Sequence, residues 1–285
     1  MKIMVLSFLL FFILPHEDMT DYFSLTHDGE TVARISRTDF TIPYLDEKFV
    51  DQQGFEAFID EIDSKLSKSP VNATIDENGT IVQGKTGTKV NRSKLSKQFY
   101  DYFYSHEEAQ LEVPMIRDYP QVDGELLADI RTNQIGAYQT FFKKGNRERT
   151  NNISLATEAI NNHVVFPGEL FSFNQVVGKR TKEKGYMRAP VIVKGELSED
   201  IGGGICQVSS TLYNAVDEAG LEIVERYSHS RQVPYVPKGR DATVSWYGPD
   251  FTFKNEYNQP ILIRATSKNG QMIVQIQSSD RLRKR

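Results

Sequence analysis

Apolar residues at Phe55, Phe58, Ile59, Ile62 and Leu66 recur every three or four positions, which predicts an amphipathic helix that stops before Pro70. The stretch V-N-A-T-I-D-E-N-G-T-I-V that follows sets two short β-prone runs about Asn78-Gly79, a dipeptide that takes positive φ in a tight hairpin turn. Leu95, Phe99, Tyr102 and Phe103 mark the face of a second helix, with Ser93 as its cap. In Y-P-Q-V-D-G-E-L-L (119–127), Pro120 and Gly124 interrupt both periods, so a linker is expected there. Near Ile135 a second domain begins, with a helix capped by Thr150 or Asn151 that turns Ile153, Ala156 and Ile160 inward. Two short strands follow about Pro167-Gly168, then a helix carrying Val208, Leu212, Ala215, Val216 and Ala219 that Gly220 ends. Strand-like runs dominate the rest: L-E-I-V-E-R-Y-S-H-S, D-A-T-V-S-W, D-F-T-F, P-I-L-I-R-A and Q-M-I-V-Q-I-Q, the last hairpin turning at Asn269-Gly270. The expected fold class is α+β: a small N-terminal α+β unit, then a larger mixed domain whose cysteine-bearing helix packs on a mainly antiparallel sheet.

The first residues break this pattern. Met1-Lys2 precedes an apolar run of twelve residues that ends at Pro15. That is short of the ~20 residues that span a bilayer and fits the core of a secretory signal. A buried core helix is the competing reading, and it lacks amphipathic spacing. Because Pro15, His16 and Glu17 offer no small-residue cleavage site, residues 1–15 are expected to be a signal peptide or a retained N-terminal membrane anchor. Residues 16–44 read as a tether with one or two short strands, 45–122 as the small domain, 123–134 as the linker, 135–280 as the large domain and 281–285 as a basic tail. The length of 285 residues suits two domains. A net charge of −4 with a pI near 5.8 gives no concentrated basic face, so nucleic acid is not an expected partner.

Export changes the meaning of Cys206, the single cysteine. It cannot form an internal disulfide, which leaves either a packed small apolar residue or a reactive thiol. It sits in G-G-G-I-C-Q-V-S-S-T-L-Y-N-A, where three glycines lead into a helix. Unsatisfied amides and the positive dipole end at a helix start favour an anion, and so a thiolate. Gly202 to Gly204 let a carbonyl approach the backbone, and their amides with that of Cys206 could form an oxyanion hole, Gly203 and Gly204 foremost. Thiolate chemistry also needs an imidazole and a group that orients it. Of the five histidines, His16, His27 and His106 fall in the leader, tether and small domain, and His163 reads as a helix-terminal residue. His229 lies on the first strand after the cysteine helix, in the chain order nucleophile, histidine, acid found in papain-like and transglutaminase-like cores. Asp241 of G-R-D-A-T-V, at a strand start, is preferred as the acid over Asp250. One cysteine and scattered histidines give no ligand spacing, so neither a metal nor another cofactor is expected.

The motifs I-G-A-Y-Q-T-F-F, R-T-N-N-I, P-G-E-L-F-S-F-N, V-G-K-R-T, G-G-G-I-C-Q-V-S-S-T-L-Y-N-A, H-S-x-x-V-P-Y-V-P-K-G-R-D-A-T-V and D-F-x-F-x-N occur in order. Together they resemble the VanW domain over about residues 135 to 268. The segment from about 45 to 122 is similar, more loosely, to a peptidoglycan-binding domain found before VanW and L,D-transpeptidase domains. The resemblance implies cell-wall work outside the cytoplasmic membrane, an association with glycopeptide resistance, and peptidoglycan peptide stems as partners. In some members the motif cysteine is regarded as the nucleophile of an L,D-transpeptidase, a role that falls here on Cys206, with His229 and the G-R-D of Gly239, Arg240 and Asp241 as the other motif residues. The expected reaction forms a thioester on Cys206 and passes the acyl group to a second stem or to water. Gly203, Gly204 and Gln207 would bind substrate, and Arg231 or Arg240 would pair with a stem carboxylate. The competing expectation is a non-catalytic wall-binding or scaffolding protein in which Cys206 merely packs.

Overall fold

The computed structural model describes residues 22–42, 49–105, 107–193 and 196–284, so the leader and His106 lie outside the described residues. Along the chain come strands β1 (Tyr22–His27) and β2 (Glu30–Ser36), helix α1 (Gln52–Leu66), and the short strands β3 (Thr74–Ile75), β4 (Ile81–Val82) and β5 (Gly87–Val90). Helix α2 (Arg92–Ser105), strands β6 (Ala109–Glu112) and β7 (Met115–Asp118), helix α3 (Gly124–Ile130) and strand β8 (Asn133–Phe141) follow. Then come α4 (Arg147–Ile160), β9 (His163–Val165), β10 (Leu170–Ser172), α5 (Phe173–Val177), β11 (Arg188–Val193) and β12 (Glu196–Ile201). Helix α6 (Ile205–Glu218) and strands β13 (Glu222–Glu225), β14 (Thr252–Lys254), β15 (Ile261–Lys268) and β16 (Gln271–Ser278) complete the chain. The class is mixed α+β with mainly antiparallel sheets, as the hydrophobic pattern indicates. Among the described residues no helix is long and apolar enough to cross a membrane.

Two compact units emerge, and the chain passes between them more than once. The first holds the described residues up to Val71 together with Thr86–Tyr119; the second holds Asn72–Lys85 and everything from Pro120. In the first unit the apolar faces of α1 and α2 meet β1, with Phe55 stacked on Phe99 at 4.0 Å between ring centroids. Asn91 Oδ1 accepts the Lys94 N–H at 3.1 Å at the start of α2, the role expected of Ser93.

The second unit is built on the antiparallel sheet β8-β16-β15-β9. Period-two alternation sends Met272, Val274 and Ile276 of β16, with Ile261 and Ile263 of β15, into one core shared with α4 and α6. The adjacent Leu262 points to the other face, where Ala73, Ile75, Leu127 and Ile130 cover it. This explains why the Asn78-Gly79 hairpin, grouped by sequence with the small domain, packs with the large one. Its carbonyls are also tied down: Arg264 Nη1 donates to Ile75 O at 2.8 Å, and Asn162 exchanges two hydrogen bonds with the Ile75 backbone.

Four expectations are corrected. The span 123–134 is not a linker: Asp123 caps α3 by accepting the Leu126 N–H, and β8 follows at once, because Leu127 and Ile130 have a sheet to cover. The α4 helix begins at Arg147 with Asn146 as cap, earlier than Thr150 or Asn151. D-A-T-V-S-W is not a strand, since residues 226–251 contain neither helix nor strand. His163 opens β9 and meets Phe171 edge-on instead of ending a helix.

Gly136 of β8 sets the distance from sheet to cysteine helix. A Cβ there would lie 2.3 Å from Ala215 O and 2.8 Å from Ala219 N. Gly136→Ala is therefore expected to lift α6 off β8 and destabilise the protein by about 1–3 kcal/mol, the usual cost of overpacking, read as a lower midpoint in thermal or urea unfolding.

Candidate functional site

The N-terminus of α6 owes its position to its glycines. Gly202 and Gly204 have φ of +91° and +110°, conformations that side chains resist, and Gly204 is the helix cap. Gly203 passes so close to β11 that a Cβ would lie 2.6 Å from the Ala189 and Pro190 carbonyl oxygens. Buried Asn152 of α4 fixes the crossing, since its Nδ2 donates to Met187 O and Gly203 O and its Oδ1 accepts the Met187 N–H. Cys206 thus falls in the first turn of α6, half-buried, and among the described residues its amide N–H has no acceptor.

Opposite this turn runs the irregular segment after β13, whose backbone groups find partners on a polar stripe of α6 instead of in a ladder. Ser209 Oγ donates to Ala242 O at 2.6 Å, and the Ala242 N–H donates to Ser210 Oγ at 2.9 Å. Asn214 Nδ2 donates to Arg240 O at 2.7 Å. These bonds set Asp241 and Thr243 alongside the helix. Asp241 Oδ2 accepts the His229 backbone N–H at 2.6 Å and the ring Nδ1 at 2.7 Å. A carboxylate only accepts, so Nδ1 carries the proton and Nε2 is left for the thiol. The imidazole and carboxylate side chains are only 5% and 9% exposed.

Charge follows geometry. Burial raises the Cys206 thiol, but the hydrogen bond and charge of His229 lower it further, and the net direction is down. Burial lowers His229, yet Cys206 and then Asp241 bring it above the ordinary imidazole range. Asp241 is likewise pushed up by burial and more than restored by its two His229 donors, ending low. The sulfur has Val244 O at 3.5 Å and Thr243 Oγ1 at 3.8 Å as hydrogen-bond partners, and the imidazole is its ionic partner.

Cys206 and His229 face a cavity of about 1340 Å³, above the ~300–1,000 Å³ of common small-molecule sites and roomy enough for an extended chain. Lys143, Arg149, Lys179 and Arg180 line it against the single acid Asp200, so the cavity is basic in a chain of net charge −4. Arg149 packs over Gly204 and donates to Gln207 Oε1 at 2.8 Å, while Arg180 packs over Gly202. Burial lowers both guanidiniums from their ordinary value, and the sulfur opposes that in each. Tyr235, also on the wall, is held well above the usual phenol range chiefly by burial and stays protonated.

Of the residues singled out by sequence, Cys206, His229 and Asp241 come together, and Gly204 and Gln207 stand on the cavity wall. Gln207 is engaged there, its Nε2 donating to Thr140 Oγ1 and Phe141 O. Gly203 is packed behind the wall against β11. Arg231 is exposed and Arg240 is turned away, donating to Asn214 Oδ1 at 2.6 Å and paired with Asp217 at 2.8 Å. Neither lines the cavity, whose guanidiniums are those of Arg149 and Arg180. Asp250 accepts from Ser172 Oγ and the Asn174 N–H, away from His229. His229 sits on a loop, not on a strand. Arg149 and Arg180 were visible only as letters inside R-T-N-N-I and V-G-K-R-T; no spacing marked them as neighbours of the thiol.

The structure defines an α+β protein with one thiol beside an imidazole–carboxylate pair on the wall of a basic cavity. A family profile described as VanW like protein matches residues 148–277, a span that contains Cys206, His229, Asp241, Arg149 and Arg180. The chain is 54% identical over 279 residues to the uncharacterized protein YoaR of Bacillus subtilis (strain 168), covering 96% of this chain and 92% of that one. It is 30% identical over 130 residues to the vancomycin B-type resistance protein VanW of Enterococcus faecalis (strain ATCC 700802 / V583), 44% of this chain and 47% of that one. No solved structure matches. The protein belongs to the VanW-like family.

The pH dependence of the thiol follows from these shifts. A depressed thiol titrates below the usual thiol range, so iodoacetamide should alkylate Cys206 rapidly at neutral pH and slow only as acid protonates the pair, which titrates as a unit. His229→Ala removes the main lowering partner and leaves burial opposed by the Val244 and Thr243 contacts, so the alkylation midpoint moves to higher pH and the rate at neutral pH drops by about tenfold for each pK unit. A midpoint that stays put would show that the ring does not set the thiol's charge.

Proposed function

We propose that this protein is a cysteine-dependent acyl transferase of the cell wall, joining peptide stems of peptidoglycan in the manner of an L,D-transpeptidase. The observation that carries the reading is the line from Asp241 through His229 to a half-buried sulfur that opens onto a chain-sized cavity. The Cys206 thiolate attacks the carbonyl that precedes a D-residue of the donor stem, and the first-turn amide of α6 stabilises the oxyanion. The C–N bond breaks, His229 gives its proton to the leaving amine, and a thioester remains on Sγ. An amine of a neighbouring stem then attacks the thioester, His229 takes the proton, and the thiolate returns; water in the same place gives hydrolysis. The apolar leader supports action outside the cytoplasmic membrane, and the name of the Enterococcus relative supports a connection with glycopeptide resistance. The first unit would hold the protein on the wall.

Incubated with disaccharide-tetrapeptides, the purified protein should gain the mass of an acyl group on Cys206 and yield cross-linked dimers. Cys206→Ala should lose both, and His229→Ala should cut turnover about a thousandfold or more. If neither adduct nor dimer forms while the same muropeptides bind, the wall-binding reading replaces the catalytic one.

A further inference from the structure

We infer that Arg226 is a positioning residue for the thiol site, holding the Asp241 arm of the irregular segment to the His229 arm and tying both to the helix that carries Cys206. Its consequence for turnover rests on the acyl-transfer reading above, but the contacts that carry it need no substrate.

Arg226 immediately follows β13, where the irregular segment begins. Its Nη1 donates to Gly239 O at 2.7 Å and to Asp241 O at 3.2 Å, and its Nη2 donates to Ser228 Oγ at 3.1 Å. One guanidinium therefore joins the residue before His229 to the residues on either side of Arg240. The two arms meet again where the Thr243 N–H donates to Tyr227 O at 2.7 Å. Beside these crossings Asp241 Oδ2 accepts the backbone and ring N–H groups of His229. Without Arg226 the Gly239 and Asp241 carbonyls lose that donor, and the arm that presents the carboxylate loses its tie to the arm that presents the ring.

The same guanidinium reaches α6 through an aromatic ring. Its carbon lies 4.7 Å from the centroid of Tyr213, and the Arg240 guanidinium carbon lies 5.0 Å from the same centroid. Tyr213 is buried and follows Cys206 by seven residues, nearly two helical turns, so both stand on one face of α6. Along that face the segment runs antiparallel to the helix, with Val244 O at Cys206 Sγ, Ala242 O at Ser209 and Arg240 O at Asn214. Tyr213 thus holds the far end of an alignment whose near end is the thiol. Only a planar guanidinium both lies over a ring and spreads donors to several acceptors in its own plane; an ammonium group does not. Among charged groups, Arg149 and Arg180 also act on the sulfur, and they are held by Gln207 and Asn174, so a change at Arg226 leaves them in place.

The pH dependence of Cys206 alkylation by iodoacetamide in the full chain tests this without substrate. Arg226→Met keeps the apolar stem and removes the donors. A ring held less firmly lowers the thiol less, so the alkylation midpoint is expected to rise by about half to one pH unit, which slows the reaction at neutral pH about three- to tenfold. Arg226→Lys, with the charge and one donor kept, is expected to fall between the two. With a disaccharide-tetrapeptide as donor, kcat should fall while KM holds, since Arg226 is not part of the cavity wall. A purely structural role would lower the unfolding midpoint and leave the alkylation midpoint of the folded protein where it was, and that result overturns the inference. A change confined to KM overturns it as well. Absence of turnover in the protein with Arg226 intact counts against the acyl-transfer reading, and the alkylation midpoint still decides the role of Arg226. Should Arg226→Met fail to fold, Arg226→Gln takes its place under the same outcomes.

Discussion

One carboxylate determines where the longest irregular stretch among the described residues turns back on itself. Residues 226–251 pair with no strand and form no helix, yet Asp241, 6% exposed, accepts both the backbone N–H and the ring N–H of His229. Two donors on one oxygen keep the carboxylate charged in a buried place, and that charge keeps the ring in the tautomer that offers Nε2 to the sulfur. Remove the charge, and the loop loses its anchor and the thiol loses its partner together. Ser209, Ser210 and Asn214 complete the arrangement by giving the loop backbone the hydrogen bonds a neighbouring strand would otherwise supply.

The glycine triplet solves a crowding problem more than it opens a path to the backbone. Arg180, the β11 carbonyls and Arg149 press on Gly202, Gly203 and Gly204 in turn, and two of the three glycines need positive φ to start the helix there. The outcome is a thiol in the first turn of α6 with two half-buried arginines nearby. The imidazole, followed by the Val244 and Thr243 contacts, outweighs the burial that opposes an anionic sulfur, and a helix start favours the same charge. The two arginines make the cavity suited to an acidic ligand.

Periodicity revealed much of the frame. The faces of α1, α2, α4 and α6, the β15-β16 hairpin at Asn269-Gly270 and the stop at Gly220 follow from apolar spacing and positive-φ residues, because both are local and repeat along the chain. The D-A-T-V-S-W run has the composition of a strand but serves as a loop, since side chains of α6 satisfy its backbone. E-L-L looked like the end of a linker because Gly124 sits before it, yet Asp123 caps a helix there. In both cases a partner far along the chain overrode the local signal.

By itself the sequence determined the α+β class, the placing of Cys206 at a helix start, and the small set of imidazoles and carboxylates able to serve it, for these depend on residue identity and near-neighbour spacing. Only the tertiary structure decided that Asp241 rather than Asp250 meets His229, and that Arg240 turns to Asn214 and Asp217. It alone revealed that Arg149 and Arg180, from two separate elements, share a wall with the thiol. The reason is one of distance along the chain. Hydrogen bonds and ion pairs act over a few ångströms in space, and which distant residues come that close is fixed by how α4, α6 and the sheet pack.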